Sequence, residues 1–138
     1  MRMLTVFPDF LTFALFAPLL IRVGLGIAFI TLGARAFSTD RGVLVNAYKQ
    51  MPFLFGPIPV WVSVVAVMEV LAGLSILLGL YTQIGAIVLA AFSFKSIIWK
   101  SLGRDIGTES ILFYFVTLLA SLSLILSGAG LIAFDLPF

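Results

Sequence analysis

The stretch Val60–Trp99, VWVSVVAVMEVLAGLSILLGLYTQIGAIVLAAFSFKSIIW, decides the fold. It carries only two charges, Glu69 and Lys95, and it breaks once, around Tyr81. A helix needs about 20 apolar residues, at 1.5 Å rise each, to cross a hydrocarbon core of roughly 30 Å. Val60–Leu80 and Thr82–Trp99 fit that length, and the short break between them predicts a tight antiparallel hairpin. Lipid cannot bond a free peptide group, so such spans must be helices, and no period-2 alternation supports a barrel.

Outward from this pair lie two more apolar runs. One is Thr12–Gly33, carrying Pro18 and Arg22; the other is Ser110–Ser127, preceded by Glu109. The first is too long for a signal peptide and is interrupted by Arg22, so it is expected to stay attached. The connection Ala34–Pro59 begins polar, with Ser38, Thr39, Asp40 and Arg41, and passes Lys49. It ends in Met51-Pro52-Phe53-Leu54-Phe55-Gly56-Pro57-Ile58-Pro59. Proline removes a backbone donor and clashes with the preceding turn, so this end is expected to be non-helical; its aromatic residues suggest a segment lying in the headgroup layer or dipping into it. The expected architecture is an all-α integral membrane protein. It is a bundle of four transmembrane helices with a Pro-rich interfacial segment between the first two, and residues 1–138 form one domain.

Composition agrees. Hydrophobic residues make up 62% of the chain and charged residues 10%, against roughly 25% charged in a soluble domain. Mean hydropathy is +1.26. A globule this small has too much surface for so few charges to cover. Cysteine and histidine are both absent. That excludes disulfides, Cys-x-x-Cys redox chemistry, the usual zinc sites and His or Cys ligation of haem or iron–sulfur clusters. It also excludes nucleophilic cysteine and the Ser-His-Asp arrangement. The net charge of +2 is too small to imply nucleic acid.

The basic residues set the expected orientation. The connections after the first and third spans hold Arg35, Arg41, Lys49, Lys100 and Arg104, whereas the opposite side has Arg2 alone. The positive-inside rule then puts both termini outside the cytoplasm.

Charges within the spans mark where chemistry would reside, because each costs several kcal/mol near the bilayer centre, roughly 2.5–3.5 on insertion scales. Counting from Gly33 and from Val60 places Arg22 about 16 Å and Glu69 about 14 Å deep, so the two are expected to meet. Lys95 lies nearer the cytoplasmic end, within reach of Glu69. Two readings stay open for Arg22, Glu69 and Lys95: a structural ion pair with a snorkelling lysine, or a ligand or proton-handling site. Glu109 is expected to cap the fourth helix. Gly26, Gly33, Gly73 and Ser121 read as helix-packing positions, and Ser110, Tyr114, Thr117, Ser121 and Gly128 form one polar stripe.

Arg22, Gly26, Phe29 and Gly33 fit R-x3-G-x2-F-x3-G, and Glu69, Gly73, Gly79 and Thr82 fit E-x3-G-x5-G-x2-T. With the closing Gly128–Asp135 run, G-x-G-x4-D, this ordered set resembles the DoxX family. Ala36, Leu131 and Ala133 depart from the family's polar choices at those positions. The resemblance implies a four-helix membrane bundle, distantly similar to that of vitamin K epoxide reductase but without its cysteines. Its relatives include the small membrane subunit of thiosulfate:quinone oxidoreductase and members of membrane-associated oxidoreductase complexes. The function implied is an accessory subunit that anchors or supports a redox, quinone-linked assembly without a redox centre of its own. Its partners would be the bilayer and other membrane subunits, its location the bacterial inner membrane, and any bound small molecule a quinone or lipid. The rival readings are a purely structural subunit and a small transporter or proton-handling protein using Glu69.

Overall fold

The computed structural model describes residues 16–52, 54–104 and 109–127. These form five helices: α1 (Phe16–Phe37), α2 (Arg41–Tyr48), α3 (Ile58–Leu78), α4 (Thr82–Ser101) and α5 (Ile111–Ser127). There is no strand among the described residues. Three helices, α1, α3 and α4, are long and apolar enough to cross a membrane; α5 is as apolar but has 17 residues.

Two boundaries differ from expectation. Helix α1 runs through Gly33 to Phe37, and the connection beyond it contains α2. In lipid, a glycine is no stop signal, since its role can be to let another backbone approach. Gly33 does this: a Cβ there would lie 2.8 Å from the Ala66 carbonyl oxygen. Helix α2 packs Ala47 and Tyr48 against Val62, with Met51, Leu54 and Trp99 closing around them. Helix α3 starts beyond Pro57, and Pro59 sits in its first turn, where a missing N–H costs nothing.

The α3–α4 turn is tight. Gly79 adopts the left-handed conformation (φ 71°, ψ 32°), and Leu80 N–H bonds back to the Ser75 carbonyl at 2.9 Å. Gly79 N–H bonds to Ile76, completing the two-bond helix-ending pattern that glycine favours. Tyr81 also has positive φ and directly precedes α4.

The closest packing is not across the α3–α4 hairpin. Helix α1 packs chiefly on α3, and α4 chiefly on α5. The α1–α3 seam is made by Gly26, Gly33 and Gly73, each so close to the facing helix that a Cβ would approach its backbone. The α4–α5 seam carries a buried bond between the Ser93 and Thr117 hydroxyls at 3.0 Å, with fully buried Ser121 bonding back to the Thr117 carbonyl. Phe29, Ile76, Leu89 and Leu124 fill the centre between the seams. The outer faces are apolar: Leu71, Ile84, Phe94 and Leu112 are all exposed, as helices bathed in lipid require.

Candidate functional site

The glycine seam fixes the register of α1 on α3. Gly26 faces Gly73 and Leu77, and Gly33 faces Ala66 and Val70, so facing residue numbers sum to about 101. By that register Arg22 stands level with the turn near Gly79, while Glu69 stands level with Leu32. Ten residues separate the two levels, about 15 Å along the axis. Arg22 and Glu69 therefore do not pair. Depth counted from helix ends fails here because α1 extends past Gly33 and because side-chain contacts, not helix ends, set the offset. Arg22 is buried at the opposite end of the bundle, 2% exposed.

Glu69 instead shares a cavity with Lys95. The cavity has a volume of about 40 Å³ and lies between α1, α2, α3, α4 and α5. Its polar lining is Asp40, Tyr48, Glu69, Lys95, Ser96 and Tyr114, set among apolar residues such as Leu32 and Ala66. Lys95 Nζ donates to the Tyr48 hydroxyl at 2.9 Å and lies 5.1 Å from the centre of its ring and 5.3 Å from that of Phe92. The Glu69 and Lys95 charges act on each other across the cavity, but no N···O contact within 4 Å joins them. Glu69 makes no hydrogen bond to any described protein group. Burial, with a smaller contribution from Glu69, pushes the Tyr48 phenol above its ordinary range. Tyr48 thus stays a neutral acceptor for the lysine.

At the mouth of the cavity a second charge group ties three elements together. Arg35, in the last turn of α1, bonds Asp40 at 3.0 Å and Glu109, just before α5, at 2.6 Å. Glu109 is therefore not the helix cap. Ser110 takes that role, its hydroxyl accepting from Phe113 N–H at 3.2 Å. Arg104 donates to the Gln50 carbonyl at 3.0 Å and stacks 4.9 Å from the Trp99 ring. These bonds place the connections that follow α1 and α4 at the same end of the bundle.

The family model described as DoxX matches residues 17–101, from α1 through α4. The chain belongs to the DoxX family. No curated protein and no solved structure matches it. The matched range contains Arg22, Gly26, Phe29, Gly33, Glu69, Gly73, Gly79 and Thr82. The closing Gly128–Asp135 run falls outside that range and outside the described residues.

Within this DoxX protein, two cavity residues escape a reading of apolar spans. Asp40 and Tyr48 sit in a connection rich in polar residues and prolines. Asp40, Leu44 and Tyr48 recur at spacings of four, which is one face of a helix, and all three line the cavity. That periodicity was the available signal. Ser96 carried none, being one serine within an apolar span.

Proposed function

We propose that this DoxX protein is a four-crossing subunit of the cytoplasmic membrane that supports a redox, quinone-linked assembly without an electron carrier of its own. Its own contribution is proton exchange at Glu69. Helix α5 is the fourth crossing in this reading. Its 17 residues reach about 25 Å, and the sequence continues apolar through Gly128–Phe134. The arginines and lysines at the α2 end face the cytoplasm, with both termini on the other side.

The observation that carries the reading is that Glu69 lines a cavity shared with Lys95 and makes no hydrogen bond to any described protein group. A half-buried carboxyl needs partners, and a cavity of about 40 Å³ exceeds the roughly 10–15 Å³ that a water requires. Lys95 supplies a balancing charge without clamping the carboxyl, which leaves it able to take and release a proton. Pockets for ring-sized ligands occupy about 300 Å³ or more, so a quinone head belongs to a partner subunit rather than to this cavity.

Two measurements test the parts separately. Purification from native membranes in mild detergent should recover subunits with redox centres, and recovery of this chain alone overturns the assembly role. In vesicles with an imposed pH gradient and an internal pH dye, the wild-type chain should accelerate proton exchange and Glu69→Gln should not. Equal rates for the two overturn the site.

A further inference from the structure

We propose that the outer flank of α3, together with Arg41, binds one anionic phospholipid in the leaflet that meets the N-terminal end of α3. This site is separate from the Glu69 cavity and faces the surrounding lipid. A groove of about 370 Å³ runs along α3 between Pro59, Val60, Ser63, Val64, Val67 and Met68, with Arg41 of α2 at its end. Its wall is apolar throughout except for Ser63, whose hydroxyl is spent on the Pro59 carbonyl at 3.0 Å.

Length identifies the occupant. From Pro59 to Met68 the groove covers nine helical rises, about 14 Å, and half of a hydrocarbon core of roughly 30 Å is about 15 Å. The groove therefore begins at the interface and ends at the midplane, the reach of a single acyl chain. Charge identifies the head. The Arg41 guanidinium has no ion pair or hydrogen bond with a described side chain, and its neighbour Asp40 is engaged by Arg35. The first turn of α3 holds no acidic residue to oppose an anion. A guanidinium presents a planar fork of donors suited to phosphate oxygens. A cation at headgroup depth over an apolar slot one leaflet long matches an amphiphile with an anionic head.

The test uses Trp61, which is 40% exposed beside Val60 and held by its indole N–H on the Phe55 carbonyl at 3.0 Å. In the full chain, Trp99→Phe leaves Trp61 as the single tryptophan. Its fluorescence is measured in bilayers containing brominated phosphatidylglycerol or brominated phosphatidylcholine. One interfacial basic residue is worth about 1 kcal/mol, so the anionic lipid should be preferred about fivefold. Arg41→Lys should keep most of that preference and Arg41→Gln should bring it to about one. Ser63→Phe, which fills the slot, should weaken quenching by both lipids. Equal quenching in the parent chain overturns the proposal and leaves the groove to a neutral amphiphile; a preference surviving in Arg41→Gln overturns it by removing Arg41 as the headgroup's partner. Unchanged quenching in Ser63→Phe removes the groove as the seat of the chain.

Discussion

Lys95 reaches across from α4 and donates a 2.9 Å hydrogen bond to the Tyr48 hydroxyl on α2. A lysine on a membrane-spanning helix thus finds its acceptor on a short helix that no count of apolar spans includes. The bond also pins α2 over the cavity, since Tyr48 is 5% exposed and packs against Val62 and Trp99. Tyr48→Phe keeps the ring and deletes the acceptor. The expected cost is about 1–3 kcal/mol, the range for removing one partner of a charged hydrogen bond, measured as chemical denaturation in detergent. No change in stability would show that Lys95 is satisfied without the phenol.

Because Glu69 makes no hydrogen bond to described protein groups and meets Lys95 only at a distance, Glu69→Gln should lose less than about 3 kcal/mol. A carboxyl paired with Arg22 would instead give a loss of about 3–5 kcal/mol on breaking the pair. The same denaturation experiment separates the two values. A large loss would overturn the register that places Arg22 near Gly79.

Ser93 and Ser96 lie one turn apart on α4, both buried, yet only Ser96 lines the cavity. The chain has no cysteine, so single cysteines can be placed without a background. Ser96→Cys should react with silver ion at least about tenfold faster than Ser93→Cys, because thiol reactivity follows water access. Protection against later maleimide labelling in denaturant reads the rate. Equal rates would mean that the cavity stays dry.

Gly33→Ala should destabilise by about 1–3 kcal/mol, because its Cβ would meet the Ala66 carbonyl at 2.8 Å and the Val70 amide at 3.2 Å, and backbone cannot swing aside. Gly24→Ala, on the same helix with nothing within 4 Å, should be neutral or slightly stabilising. Thermal unfolding of the two variants side by side checks the seam. Similar behaviour would mean that α1 and α3 can separate freely.

An alkaline phosphatase fusion at Phe138 should be active and a fluorescent protein inserted after Gln50 should glow, as the positive-inside rule requires for this charge distribution. The reverse pattern would invert the protein in the membrane and move the Arg41 groove to the other leaflet.

Solvent, element type and much of the packing chemistry were legible from the residues alone. Long apolar runs with 10% charge leave only helices in lipid, and small residues at helical spacing mark where such helices can approach. These follow from composition and local backbone chemistry, so they need no knowledge of neighbours. The family was legible for the same reason, since its motifs lie within the helices. Offsets between helices were decided only in three dimensions. Gly26, Gly33 and Gly73 let α1 and α3 interlock at one register, and that register moves Arg22 about 15 Å away from Glu69. Helix α2 likewise forms where its one face, Asp40, Leu44 and Tyr48, can cover the cavity, and only that docking brings Tyr48 to Lys95. An eight-residue helix is too short to be stable alone, so its existence is a property of the surface it packs on.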